Sequence, residues 1–260
     1  MSQLHTLYTQ DVLLDKVEHR YFNVHNGNEY VSFSKCFEFL SEKFDSEGIS
    51  AAIAKRDGVS AESVQGKWNS ARDEGTRFDG AIKLYSQTGQ ILKENEDLAD
   101  IVKLVSLKYK DYKRTFEDLV IFNHETRTAG EIDKLSIKSA FKTSNFHISD
   151  FKLFEAGMSY APKGKAWLNY PFDYLPNTKY TKTCFQLSFY AWHYEKLTGQ
   201  KCERMFIDLI IPTKDSTGKV VEYKNEVIPA NYMKSEVEIF INTFKSQILQ
   251  IVEPIQLYEF

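Results

Sequence analysis

The chain has 260 residues, of which 42% are hydrophobic and 14% aromatic, with only 12 glycines and 6 prolines. That is ample material for a core, and it excludes low complexity and long disordered linkers. A formal net charge of −3 excludes a generally basic coat for nucleic acid, though not a local basic channel beside clustered acids.

In chain order, "HRYFNVHNGNEYVSFS" alternates apolar and polar residues around Asn26-Gly27, which predicts a hairpin. Ser34 is placed to cap a helix running to about Phe44, and "SEGISAAIAKRDG" reads as a second helix ending at Gly58. Ser60 then caps a long helix that carries Trp68, Arg72, Gly75 and Asp79 towards Tyr85, and a further amphipathic helix covers about 95–109. From there the period changes to two: "TFEDLVIFNHE", "TAGEIDKLSI" and "NFHISDFKLF" predict three strands of a meander. A loop with Pro162, Pro171 and Pro176 leads into "KYTKTCFQLSFYAWHYEKLTG", a helix ending at Gly199. "ERMFIDLIIP" and "KVVEYKNEVI" form a hairpin across 215–218, and a last helix covers Lys234–Ile251. With no repeat and no linker, the expectation is one domain over 1–260, a hairpin plus helical lobe in 1–110 and an α/β core in 111–260.

Cys36, Cys184 and Cys202 are widely spaced and form no C-x-x-C pair, so reduced thiols are expected rather than a disulfide framework or zinc ribbon. The opening "MSQLHTLYTQDVLLDK" has neither an apolar leader nor an arginine-rich transit pattern, and no stretch approaches the ~20 apolar residues of a membrane span. A soluble intracellular protein is expected, with no membrane partner.

The chemistry concentrates in "GEIDKLSIKSAFKTSNFHISDFK". Hydrolysing a phosphodiester needs a cation that neutralises the phosphate and lowers the pKa of a bound water. Mg²⁺ takes oxygen ligands in an octahedron, so carboxylates must converge from neighbouring strands. Asp133 on one strand and Asp150 on the next meet that requirement. Lys152 shares the face of Asp150, placed to steer or help deprotonate the attacking water. Phe151 points into the core while its carbonyl can face the ion. Acid-x-Lys occurs three times, at Asp111, Asp150 and Glu222. The last is a real rival because Asp208 precedes it on the paired strand. Only the central copy follows the small-residue strand "AGEID" and precedes a helix with Gln186 and Tyr190 at i and i+4 on one face.

The pieces "KWNSARDEGTRFDGAI", "FEDLVIFNHETRTAGEID", "HISDFK" and "QLSFYAWHYEKLTG", in this order and spacing, resemble the PD-(D/E)XK nucleases of the RecB and lambda-exonuclease type, and more narrowly the phage-encoded exonucleases of that group. The resemblance implies a restriction-endonuclease-like α/β fold, a central mixed sheet flanked by helices, with a helical N-terminal lobe. It implies a Mg²⁺-dependent DNA nuclease, an exonuclease of phage-type replication or recombination, in the cytoplasm of a bacterial or phage-infected cell. A replication or recombination protein is an expected partner. Asp133, Asp150 and the Phe151 carbonyl become metal ligands, Lys152 the catalytic lysine, Glu117 an accessory acid, and Gln186 and Tyr190 the family's Q-x-x-x-Y helix. The family often carries a ligating histidine four residues after a helical Gly-Thr. Here Gly75-Thr76 is followed by Asp79, which either preserves a ligand of different chemistry or marks a lost one. Carboxylate suits Mg²⁺, with Mn²⁺ as a possible substitute. Iron–sulfur members need four cysteines, so no cluster is expected.

Each assignment has a plainer competitor. The competing reading of Asp133 is a solvated strand residue, that of Gln186 and Tyr190 the polar edge of a packed helix, and that of Asp79 an ordinary helical charge pair beside Arg72 and Arg77. Arg72 and Arg77 are candidates for phosphate contacts at a DNA entrance or are solvated arginines. Trp68 is expected in the core rather than as a base-stacking surface, and His124 and His147 as hairpin residues rather than ligands. The functional alternatives are a structure-specific endonuclease and a catalytically silent DNA-binding or virion-associated relative.

Overall fold

The computed structural model describes residues 11–41, 44–138, 145–154, 158–160 and 167–252. A three-stranded antiparallel unit opens the chain: β1 (Val12–Asp15), β2 (Arg20–Asn23) and β3 (Glu29–Ser32). The Asn26-Gly27 turn joins β2 and β3 as the alternation predicts, whereas β1 carries no comparable sequence signal. The next helix departs from expectation. α1 is only Phe33–Phe37, and its N-cap is Ser32, whose hydroxyl accepts the Lys35 amide. With Phe33, Cys36 and Phe37 buried on so short a segment, the helix starts two residues earlier than a Ser34 cap allows. Of the sequence expectations, Pro162, the first ten residues, and Glu42 and Lys43 at the end of the expected first helix lie outside the described residues.

α2 (Ser46–Asp57) and α3 (Ala61–Thr88) are capped by Asp45 and Ser60, whose side chains accept the Gly48 and Ser63 amides. A 3₁₀ turn, Lys93–Leu98, runs into α4 (Ala99–Leu107). Then come β4 (Arg114–Asn123), β5 (Thr128–Ile137), β6 (Phe146–Leu153), α5 (Lys179–Thr198), β7 (Cys202–Lys214), β8 (Val220–Ala230) and α6 (Lys234–Ile251).

The eight strands form one mixed sheet, ordered β1-β2-β3-β5-β6-β7-β8, with β4 on β5. Pairs β3–β5 and β6–β7 are parallel and the rest antiparallel. Helices cover both faces. Phe185, Phe189 and Tyr194 of α5 and Phe240 of α6 pack with α1 and strands β4–β7 in the larger core cluster. On the other side Phe78 and Ile82 of α3, with Ile101 and Val105 of α4, close over Phe151 and Ile210. The fold is therefore α/β, with a helical N-terminal region against a mixed sheet.

β5 positions everything that follows. One of its edges pairs with β4 along its length, the register skipping only Asp133 and Asp118. The other pairs with β3 at Thr128 and Ala129, and with β6 only from Lys134 onward. Residues 130–133 have no strand partner on that edge among the described residues, and the sheet forks there. Ile132 and Leu135 both enter the larger cluster, so strict alternation breaks between them, at Asp133-Lys134. Facing the break on β4, Asp118 takes a left-handed φ of 51°, a conformation that costs an L-residue free energy and persists only where its surroundings impose it.

Candidate active site at the sheet fork

The β5–β6 ladder ends at Lys134–Ser149. Immediately beyond it, Asp133 Oδ2 accepts the backbone amide of Phe151 at 3.2 Å. The N–H and C=O of one strand residue project to the same edge, so the Phe151 carbonyl faces the fork as well. Its ring turns the other way, against Phe78 and Tyr109 at centroid distances of 6.5 Å. Asp150 is 2% exposed, and Lys152 Nζ stands 2.6 Å from its Oδ2. That approach lies within ion-pair distance but off a hydrogen-bond direction, so the oxygen has no aligned partner. Burial pushes the Asp150 carboxyl up to about 7; Lys152 opposes that and repulsion from Asp133 adds to it.

α3 closes the fork from the other side. Burial raises the Asp79 carboxyl above its ordinary range, and the negative charge of Asp133 raises it further. One turn on, Lys83 binds Asp79 through Oδ2 and reaches Asp118 Oδ1 at 2.5 Å. Asp79 Oδ1 is buried and makes no hydrogen bond. Burial alone would depress the Lys83 ammonium, but Asp79, Asp118 and Asp133 together hold its pKa above the ordinary lysine value. Among the described residues no three carboxylate, histidine or cysteine side chains stand close enough together to form a ready metal cage. The acids are instead interleaved with two lysines, Lys83 and Lys152. Neither Lys83 nor Asp118 stands out in the sequence. The available signals were the i, i+4 spacing of Asp79 and Lys83 and the position of Asp118 opposite Asp133.

Gln186 and Tyr190 do lie together: the Gln186 amide donates to the Tyr190 hydroxyl at 3.0 Å. Tyr190 is buried and its ring covers Gly130, where a Cβ would lie 2.3 Å from Tyr190 Cε1. This close approach is the physical content of the small-residue strand. Glu117 is not brought to the fork. It pairs with Lys134 at 2.5 Å, and Lys134 lies over the Tyr109 ring at 4.7 Å. Arg77 is likewise engaged elsewhere, clamped by Glu74 at 2.6 Å and Asp97 at 2.7 Å, so it ties α3 to the 3₁₀ turn. Arg72 is exposed, 3.4 Å from Asp73. The rival acids are far apart in register: Asp208 pairs with Val227 and Glu222 with Thr213. Asp208 is held by Lys108 and Tyr109, while Glu222 is 60% exposed. His124 and His147 bond the hydroxyls of Tyr30 and Tyr112.

A cleft of about 610 Å³ opens over the fork, lined among others by Trp68, Arg72, Asp79, Asp133 and Lys152. A smaller cavity of about 360 Å³ lies beside it, reaching Glu131, Gln186 and Tyr190. His19 lines both. Chemically, the arrangement offers buried carboxylates and a carbonyl that can accept a hard cation, beside an ammonium that can contact a phosphate or water. No protein-family model matches the chain, and no curated protein matches its sequence.

Proposed function

We propose that the protein is a divalent-metal-dependent DNA nuclease with a restriction-endonuclease-like core, an exonuclease of phage-type replication or recombination. The observation that carries this reading is the fork itself, with Asp133, Asp150, the Phe151 carbonyl and Lys152 at one break in the sheet. The donors fit Mg²⁺: all are oxygens, and Asp150 Oδ2 and Asp79 Oδ1 are buried without an aligned hydrogen-bond donor. Asp133, Asp150 and the Phe151 carbonyl would hold the ion, with Asp79 joining them when Lys83 withdraws. Such an ion neutralises phosphate charge and acidifies a bound water. The Lys152 ammonium, held in its charged form by Asp150 and Asp133, would orient the water and favour the ionised form of Asp150 that burial opposes, and the proton released by the water would leave through the open cleft. Tyr190, fixed by Gln186 and Gly130, walls the site against bulk water, and Arg72 meets the backbone of the incoming strand.

One observation favours a second reading. Lys83 already neutralises Asp79 and Asp118, which suits a catalytically silent DNA-binding relative. End-labelled single- and double-stranded DNA, incubated with Mg²⁺, Mn²⁺ or EDTA, separates the readings. Release of mononucleotides from an end with metal alone supports an exonuclease, and internal cuts at junctions support an endonuclease. Binding without cleavage in either metal overturns the enzymatic reading.

A further inference from the structure

α3 carries two stripes. Its core stripe is Val64, Phe78, Ala81 and Ile82. The other, Trp68, Arg72, Thr76 and Asp79, occupies i, i+4, i+8 and i+11 and lines the cleft. It is an aromatic ring, a guanidinium, a hydroxyl and a carboxylate in sequence along about 16 Å of helix. Beside them a Cβ on Gly75 would meet no atom within 4 Å, so the path is open. At its outer end Trp68 is half-buried, and Phe44, 62% exposed, lies edge-on to it with centroids 5.6 Å apart. The opposite wall brings Lys179, over the Phe154 ring at 3.7 Å.

An exposed phenylalanine braced on a tryptophan at a cleft mouth contributes little to the core, and an aromatic face is a sequence-tolerant partner for a nucleic-acid base. Stacking requires a base whose own neighbour has been removed, which a duplex interior does not offer. A duplex binder also relies on many phosphate contacts, whereas the cleft presents few cations and the chain has a net charge of −3. We propose that Trp68 and Phe44 form a stacking platform for the unpaired bases of single-stranded DNA, aligning the strand along α3 so that its backbone passes Arg72 and reaches the Asp133–Asp150 fork. The choice of DNA and the direction of the strand rest on the nuclease reading. The Trp68–Asp79 stretch of the helix, about 16 Å long, corresponds to about five stacked nucleotides.

The test is binding in EDTA, so that no cleavage intervenes, of labelled oligo-dT, oligo-rU and a blunt duplex of equal length to wild type, Trp68→Ala, Trp68→Phe and Phe44→Ala. Circular dichroism and Tm verify folding of each. Wild type should prefer oligo-dT over the duplex, with quenching of tryptophan fluorescence that is lost in Trp68→Phe. Trp68→Ala should weaken oligo-dT binding about tenfold, Phe44→Ala less, and Trp68→Phe by less than about threefold. Because Phe44 is exposed, its variant keeps the test meaningful if Trp68→Ala fails to fold. Unchanged oligo-dT binding by both alanine variants, or a wild-type preference for the duplex or for oligo-rU, overturns the proposal. Cleavage assayed separately keeps the two readings apart. An active nuclease indifferent to Trp68 removes the platform alone, and a Trp68-dependent binder that never cleaves removes the nuclease alone.

Discussion

Asp133 and Phe151 are joined by a side-chain-to-backbone hydrogen bond, Oδ2 to amide at 3.2 Å, at the point where the β5–β6 ladder stops. The carboxylate does the work of a missing main-chain acceptor. It thereby holds the two strands at a fixed separation while leaving the Phe151 carbonyl directed into the gap. The same contact keeps Asp133 near Asp79 and Asp150, whose carboxyls it raises.

The choice among the acid-x-Lys triplets is testable directly. Asp150→Ala and Lys152→Ala should each reduce DNA cleavage by more than about a hundredfold, with folding retained. Glu222→Ala, at an exposed position five residues along the ladder from Asp208's partner Val227, should keep most of the activity. A dead Glu222→Ala enzyme would move the centre to the other hairpin.

Asp133→Asn keeps an acceptor for the Phe151 amide and removes only the charge. That charge repels Asp79 and Asp150 but attracts Lys83 and Lys152. In EDTA the substitution should therefore change stability by less than about 1 kcal/mol. Saturating Mg²⁺ should stabilise wild type by about 2.7 kcal/mol at a hundred times its Kd, and Asp133→Asn far less. Equal Mg²⁺ shifts in Tm for the two proteins would mean that Asp133 holds no metal.

Lys83→Met leaves Asp79 and Asp118 without their shared cation at a site where the lysine side chain is 15% exposed. The expected loss in EDTA is about 2 kcal/mol, because removing one partner strands the other's charge. Freed from the ammonium, Asp79 becomes available to metal, so the Mg²⁺-induced rise in Tm should exceed that of wild type. Thermal melts of both proteins in EDTA and across a Mg²⁺ titration measure it. A smaller Mg²⁺ shift in the variant would make Lys83 a supporting residue rather than a competitor.

Gly130→Ala drives a methyl into the Tyr190 ring, against which a Cβ would stand at 2.3 Å. A cost of about 1–3 kcal/mol is expected from overpacking, read as a lower urea midpoint. Tyr190→Ala in the Gly130→Ala background should recover part of it if the ring is the obstacle. Additive losses would place the strain in the backbone instead.

His193 gives the fold its own pH dependence. Its Nδ1–H donates to the Phe189 carbonyl and its Nε2 shares a hydrogen bond with the Thr128 hydroxyl, each at 2.7 Å, and burial of the ring favours its neutral form. Burial lowers its pKa to about 4. The unfolded chain takes up a proton near the ordinary value of about 6.5, before the folded protein does, so stability falls as pH drops from about 6.5 to 4. The loss from this one group approaches about 3 kcal/mol at the acid end. Urea unfolding across that range should show a steeper decline for wild type than for His193→Gln. Parallel curves would assign the acid sensitivity to the carboxylates.

Period, turns and most caps are local, and the sequence determined them, apart from the α1 cap, which lies at Ser32 rather than Ser34, and the break in the alternation of β5 at Asp133-Lys134. Asn26-Gly27, Ser60, Gly199 and the two-residue alternation of β4 to β6 each fix a few dihedrals without reference to distant residues. The same locality put Asp150 and Lys152 on one strand face and Gln186 beside Tyr190 on one helix. What a side chain meets across the fold was decided by packing alone. Glu117 and Arg77 have the residue types of a site, yet Lys134 claims the first and Glu74 with Asp97 the second. Asp118 sits next to Glu117 in the chain and is drawn instead to Lys83, because its left-handed backbone turns with the break in β5. Trp68 has the composition of a core residue and lies in a cleft wall, since the opposite stripe of α3 already fills the core with Val64, Phe78 and Ile82. Charge partners and cleft walls depend on which surfaces meet once the strands fork, and that is a property of the three-dimensional sheet rather than of any window of sequence.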